Sequence, residues 1–379
     1  MNVYLDNAAT TPLDPLVLEA MMPYMKDHFG NPSSTHAFGR KTKNAIEISR
    51  KKVADYLNAE PSEIIFTSGG TEADNMALRC GVMDLGVKRI ITSSIEHHAV
   101  GHTAEHLRDH FNVQVEFVNL KEDGHVDVEH LEELLAEGSL KTMVSLMHGN
   151  NEIGNLLSLE IISNLCKKHK AYFHSDTVQT MGHYRFDMKT LDIDFITGAA
   201  HKFHGPKGVG FLYINKNTPI EYMMSGGSQE RGHRGGTENL YGIVGLAKAM
   251  EIAHDHMEEH QVSIQGLKTY MKEQLQEMIP NIIINGEENS EKSLYTVLSV
   301  CFPLSERSSM FLFNLDINGV YASGGSACTA GSNMGSHVLA ALPNSQNCQP
   351  VRFSFGRFTT KEEIDYALEK VREMVAIPV

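Results

Sequence analysis

Between about residues 50 and 215 the chain alternates short apolar runs, rich in β-branched and aromatic residues, with longer stretches of helical spacing. Residues 64–66 (Ile-Ile-Phe), 89–92, 113–118, 143–146, 171–174, 195–197 and 209–214 read as strands, and 128–135 and 159–169 as helices. This alternation predicts βαβ units and a mostly parallel sheet covered on both faces. After Asn239 the spacing becomes helical to about Met278, with an interruption expected around Val262. Residues 281–379 carry further strand-like runs and end in a helix opened by Thr360-Lys361-Glu362-Glu363, a capping-box-like start. That last part reads as a smaller α+β domain. The Gly-rich stretch 225–236 is too charged and irregular for a simple linker, and no internal repeat is evident.

A chain of 379 residues suits one large domain plus a smaller one and can bury a large core without a metal or disulfide staple. Its formal net charge of -14, with no Lys/Arg block, argues against nucleic acid as the main partner. Residues 1–12 show neither a basic leader nor an apolar run, and no stretch approaches the ~18 apolar residues of a membrane span. The cysteines (Cys80, Cys166, Cys301, Cys328, Cys348) are odd in number and scattered, with no C-x-x-C pair. A zinc cluster or disulfide framework is therefore not expected, and a reducing, cytoplasmic setting is.

Ligands of open α/β sheets sit beyond the carboxyl ends of the strands, so the residues after each run are the candidates for chemistry. Thr67-Ser68-Gly69-Gly70-Thr71-Glu72 follows one strand and precedes a helical run; small residues there let backbone N–H groups approach an anion. The same segment also reads as a plain turn with Thr71 as the helix cap. Asp176, in His174-Ser175-Asp176, could be a metal ligand, a cap or a partner for a protonated ring nitrogen. Lys202 sits in Ala200-His201-Lys202-Phe203 among apolar and small residues. Desolvation there would make it a better amine nucleophile, although a lone lysine often just snorkels. A strand-end Asp followed one strand later by such a Lys suits pyridoxal phosphate: the Asp keeps the pyridine nitrogen protonated, and the Lys forms a Schiff base. Cys328 lies in the small-residue run Gly324-Gly325-Ser326-Ala327-Cys328-Thr329-Ala330-Gly331, a setting for an accessible thiol rather than a core cysteine. His98, His102, His106 and His110 recur on one helical face, read as partly solvated rather than as a metal site; no metal is expected.

Taken together the motifs resemble the cysteine desulfurases of the NifS and IscS kind, in class V of the aminotransferase fold. The residues that carry the likeness are Tyr4-Leu5-Asp6-Asn7-Ala8-Ala9-Thr10-Thr11, Ser68-Gly69-Gly70-Thr71-Glu72, Glu96-His97-His98-Ala99-Val100, Met147-His148-Gly149-Asn150-Asn151-Glu152 and His174-Ser175-Asp176 with Gln179. His201-Lys202, Arg234-Gly235-Gly236-Thr237, Gly325-Ser326-Ala327-Cys328-Thr329 and Arg352-Phe353-Ser354-Phe355-Gly356-Arg357 complete the set, which spans nearly the whole chain. The resemblance implies an aspartate aminotransferase-like fold for pyridoxal-phosphate-dependent transferases. A large cofactor-binding domain would occupy residues 15–258, and a small domain of residues 1–14 and 259–379 would carry the cysteine loop.

It also implies roles. Lys202 would bind the cofactor and move the Cα proton, Asp176 would pair with the pyridine nitrogen and Gln179 with the ring hydroxyl. His97 would stack on the ring and assist proton transfers. Gly70, Thr71 and His201 would hold the phosphate, with Thr237 reaching the phosphate of a neighbouring subunit in a homodimer. Asn151 and Arg352, with Asn7, would hold the carboxylate of the substrate L-cysteine. Cys328 would receive the sulfur as a persulfide and pass it to an acceptor protein for iron–sulfur cluster assembly or thio-modification. Three departures from the family pattern stand out. Ala199 replaces a usual phosphate-binding Ser, to be offset only if Thr197 or a water substitutes; Ser332-Asn333-Met334-Gly335-Ser336-His337 lacks the usual Glu-Pro pair; and the chain ends at Val379 without the extension that IscS-like members use to meet a scaffold. The competing readings are a class V enzyme for another substrate, such as a selenocysteine lyase, and a non-catalytic scaffold member.

Overall fold

The computed structural model describes residues 1–221, 224–280, 282–304, 310–324, 335–342 and 348–375. Seven strands form one sheet in the order Ile64–Thr67, Gly210–Ile214, Phe195–Ala199, Tyr172–Asp176, Thr142–Ser145, Arg89–Thr92, Gln114–Phe117. Neighbours are parallel except Gly210–Ile214, which is antiparallel to both strands beside it. The mostly parallel α/β architecture expected from the sequence is therefore present.

Strand period explains how the sheet is buried. Ile64, Phe66, Ile91, Val144, Phe173, Ile196 and Phe211 point into one core, whereas Ile65, Ile90, Met143, Phe195 and Leu212 point into another. Successive side chains alternate between faces, and here both faces are apolar because helices cover both. Ala37–Tyr56, Leu159–His169 and Leu240–Asp255 pack the first through Val53, Ile162 and Leu246. Gly70–Met83 and His98–Phe111 pack the second through Met76 and Leu107. Each fully buried side chain of this size stabilises the fold by about 1.5–3 kcal/mol relative to leaving it exposed.

A second body holds Ile283–Ile284, Val297–Phe302 and Gln349–Ser354 as an antiparallel sheet. Met257–Met278 and Lys361–Val375 cover it through Met271, Leu275, Ile364 and Leu368. Val3 and Leu5, from the chain start, lie in the same core, because Val3–Tyr4 pairs in parallel with Val320–Tyr321.

Two expectations are corrected. The helical stretch after Asn239 breaks at His256 (φ -113°, ψ 17°), not near Val262, which lies exposed within the second helix. Glu258 and Glu259 favour a helix start just after His256, whereas one β-branched residue does not end a helix. Cys80 and Cys166 are buried and free, but Cys301 and Cys348 form a disulfide, with Cα atoms 5.6 Å apart. The antiparallel register sets Cys301 opposite Pro350, two residues beyond Cys348 in the chain, a proximity that spacing along the sequence does not reveal.

The charged Gly-rich stretch folds back onto the large sheet. Buried Glu230 pairs with Arg50 through both guanidinium Nη atoms (2.7 and 2.9 Å) and accepts the Phe66 N–H. Arg234 pairs with Glu72 at 2.8 Å and so braces the start of Gly70–Met83.

Candidate active site

Beyond the carboxyl ends of the parallel strands lies a cavity of about 270 Å³. Lys202 closes the short turn Ala200–Lys202 that follows Phe195–Ala199, and its Nζ donates to the carbonyls of Ala8 (2.5 Å) and Ala9 (3.0 Å). Asp176 ends Tyr172–Asp176 and is 5% exposed; its Oδ1 accepts the Val178 N–H at 2.8 Å. The parallel register pairs Asp176 with Thr197, which brings the aspartate and the lysine turn to one cavity.

Burial, reinforced by the negative charge of Asp74, pushes the Asp176 carboxyl up to about 6. Asp74 itself is 1% exposed, and burial raises it to about 7. One oxygen of each carboxylate and one His97 nitrogen lie within 4.8 Å of one another. Asp74 Oδ1 has no hydrogen-bond partner among the described residues, although His174 Nε2 is 3.4 Å away. Two buried carboxylates facing a cavity create a demand for a cation there.

The opposite demand arises at the start of Gly70–Met83. The N–H groups of Gly70 and Thr71 open this helix with no preceding turn to satisfy them, so they are available to an anion. Gly70 is required for packing as well, since a Cβ there would lie 2.7 Å from Val178 Cγ2. His201 stands beside them, its Nδ1 3.1 Å from Thr10 Oγ1; burial, aided by Lys202 and Lys207, pushes its pKa down to about 4 and leaves it neutral. Ala199 also lines the cavity, and Thr197 does not; the Thr197 hydroxyl lies instead 3.3 Å from His174 Nε2. Thr197 therefore does not stand in for the missing Ser.

His97 caps the helix His98–Phe111, its Nδ1 accepting the Ala99 N–H at 3.1 Å, which leaves the proton on Nε2 in the neutral ring. Burial lowers its pKa, with Asp176 opposing and Lys202 adding to the shift. Gln179 lines the cavity and donates its Nε2 to the Ala8 carbonyl at 3.0 Å. Arg352, 1% exposed, spans Asn151 O (2.8 Å) and Asp6 Oδ1 (2.7 Å), with its Nε unpartnered among the described residues. A guanidinium held this way is set to receive a carboxylate.

The structure thus gathers Gly70, Thr71, His97, Asn151, Asp176, Gln179, His201, Lys202 and Arg352 around one space. Asn7 is not on the lining; its amide donates to Ser354 O at 2.9 Å and holds the chain that positions Ala8 and Ala9. Thr237 is exposed and lines a separate surface cleft with Ser68 and Arg234. Cys328 lies outside the described residues. On one flank of its segment Ser323 exchanges backbone hydrogen bonds with the lining residue Arg352 (3.2 and 2.6 Å); on the other His337, itself on the lining, donates from Nε2 to Glu96 O at 2.8 Å.

Sequence reasoning missed four groups here. Asp74 lines the cavity, and its signal was the motif Thr71-Glu72-Ala73-Asp74, in which a helix's first turns aim a carboxylate at the strand ends. Glu152 accepts from Ser336, fastening the segment after Cys328 to the substrate turn. Glu96, pushed up to about 8 by burial, accepts from Ser93 Oγ and Met147 N–H and supports the backbone before His97. The His337 ring lies tilted 4.4 Å from that of His98, and both line the cavity.

Two buried carboxylates, orphan helix N–H groups and a lysine amine on one cavity fit pyridoxal phosphate: a cationic ring nitrogen, a phosphate and an aldehyde. The class-V aminotransferase family profile matches residues 3–367. The chain is 41% identical to "Cysteine desulfurase IscS" of Clostridium botulinum over 98% of this chain and 94% of that protein. It is 43% identical to "Cysteine desulfurase IscS" of Methanosarcina thermophila over 98% of this chain and 92% of that protein. A solved "NIFS-LIKE PROTEIN" superposes with a TM-score of 0.92 at 37% identity, covering 100% of both chains.

Proposed function

Because the chain belongs to the class-V aminotransferase family, we infer that it is a pyridoxal-phosphate-dependent cysteine desulfurase, which converts L-cysteine to L-alanine and transfers the sulfur as an enzyme persulfide. The observation that carries the residue roles is the convergence of Lys202, the Asp176 carboxylate, His97 and the Gly70–Thr71 N–H groups on one cavity. When bound, the cofactor supplies a carbonyl that captures the substrate amine and an electron sink that makes the Cα proton and the Cβ–Sγ bond labile.

Asp176 would hold the ring nitrogen as a cation, and the Asp74 charge beside it strengthens that preference. Gly70, Thr71 and His201 would bind the phosphate, and Gln179 and His97 would fix the ring plane. Arg352 and the Asn151 turn would orient the substrate carboxylate, which aims the Cα–H at Lys202 Nζ. Lys202, once released, is placed to move that proton. Neutral His97, with Nδ1 occupied by the Ala99 N–H, can donate from Nε2.

Cys328 would then attack the substrate Sγ as a thiolate. The new S–S bond forms as Cβ–Sγ breaks, the electron pair stays with the carbon fragment, and protonation there yields alanine. We read residues 15–258 as the cofactor domain and residues 1–14 with 259–379 as the small domain. A second copy of the chain presenting its exposed Thr237 to the phosphate makes the working unit a homodimer. The sulfur then passes to an acceptor protein in the cytoplasm, with no nucleic-acid or membrane partner. No helix among the described residues is long and apolar enough to cross a membrane.

Incubation with L-cysteine should release alanine and leave a mass increase of one sulfur on the peptide containing Cys328. Cys328→Ser should lose that adduct and persulfide-dependent sulfide release; full-rate release from the variant would remove Cys328 from the pathway. Ala199→Ser should tighten cofactor binding to the apo-protein by about 1 kcal/mol, roughly fivefold, by restoring a hydroxyl donor. Unchanged affinity on cofactor titration would show that position 199 does not face the phosphate.

A further inference from the structure

A second cavity, of about 220 Å³, opens between the helix Met257–Met278 and the strands Ile283–Ile284 and Val297–Phe302, and shares no lining residue with the first. Lys268 lines it and is 8% exposed; its Nζ donates to Ser293 Oγ (2.9 Å) and Leu294 O (2.6 Å). An ammonium carries three donors, so one remains. Among the described residues no carboxylate lies within ion-pair distance of Lys268, whereas Lys272, one turn on, is paired with Glu288 at 3.4 Å. Buried charges are ordinarily paired, so an uncompensated ammonium beside a cavity is a demand for an anion. Burial, with Lys272 adding to it, pushes Lys268 down to about 8, which still leaves it mostly charged at neutral pH.

Two hydroxyls add to the same demand. Ser293 and Ser299 line the cavity and are 2% and 4% exposed. Ser293 Oγ already accepts from Lys268, and Ser299 Oγ accepts from Asn285 Nδ2 at 3.1 Å. Each therefore keeps its O–H to donate. The acidic side chains on the lining are Glu288, engaged by Lys272, and Glu287. Ile153 forms another part of the wall, and Leu294 N–H donates to Gly154 O at 2.6 Å, so the cavity sits directly behind the turn that carries Asn151.

We propose that this cavity is a binding site for a small oxyanion, a phosphate or a carboxylate, held by the Lys268 ammonium and the hydroxyls of Ser293 and Ser299. It goes beyond the desulfurase reading and stands or falls independently of it. Calorimetric titration of the holoenzyme at constant ionic strength, with inorganic phosphate and with acetate separately, tests it. Saturable binding of at least one anion is expected, weakened about tenfold or more in Lys268→Met and about fivefold in Ser293→Ala. Saturation by phosphate alone identifies a phosphate site, and saturation by acetate identifies a carboxylate site. If Lys268→Met does not fold, Ser293→Ala decides alone. Absence of saturable binding by either anion, or binding unchanged in the variants, would overturn the proposal, since the latter would belong to another site.

Discussion

Replacing Lys202 by alanine is expected to lower alanine formation from L-cysteine by about 10³-fold or more. Two functions would go with the amine: covalent retention of the cofactor and movement of the Cα proton. The variant should fold, because the Lys202 amine donates to the Ala8 and Ala9 carbonyls at the cavity wall, where water can take its place. Three measurements check this: single-turnover alanine release, borohydride fixation of cofactor to the chain, and circular dichroism to confirm the fold. Fixation should disappear together with turnover. Activity within tenfold of wild type would remove Lys202 from the proton path.

Asp176→Asn is expected to reduce turnover by about 10²–10³-fold, the usual loss when a preorganised charge at a reacting centre is removed. The isosteric amide keeps the volume at a position only 5% exposed, so the change isolates charge. A second readout follows from the pKa. The Asp176 carboxyl, raised to about 6 by burial and Asp74, becomes neutral as the pH falls through that value. Protonation removes the anion that favours a cationic ring nitrogen, so affinity for the cofactor in wild type should drop as the pH falls below about 6. Cofactor phosphate titrates in a similar range, which makes the difference between wild type and variant the informative quantity. Equal pH profiles for the two proteins would exclude Asp176 as the partner of the ring nitrogen.

Much of the candidate site was legible in the sequence because strand period and strand ends are local properties. Apolar runs at 64–66, 89–92, 143–146 and 195–197 mark strands, and the residues that follow them, Gly70, His97, Asn151 and Lys202, meet at one end of the sheet. Asp74 was legible as part of its motif but not as a charge beside Asp176. Its importance comes from being desolvated beside Asp176, and a carboxylate in the first turns of a helix is as commonly a solvated residue that favours the helix dipole. Thr197 was one of two expected ways, with a water, to offset the missing Ser; it shares a strand face with Ala199, but its hydroxyl is taken up 3.3 Å from His174 Nε2 and it is not on the cavity lining. The pairing of Cys301 with Cys348 follows from an antiparallel register set far along the chain.

The sequence by itself determined the alternation of strands and helices, the chemistry available at each strand end, and the likeness to cysteine desulfurases. These depend on residue type and short spacing, which a linear chain states directly. Only the tertiary structure decided which of those groups share a cavity, and with it their charge: His201 kept neutral, Asp74 and Glu96 raised, Lys268 buried with no carboxylate partner among the described residues. Protonation follows desolvation and neighbouring charge, and both are set by residues distant in the chain that packing brings within a few ångströms.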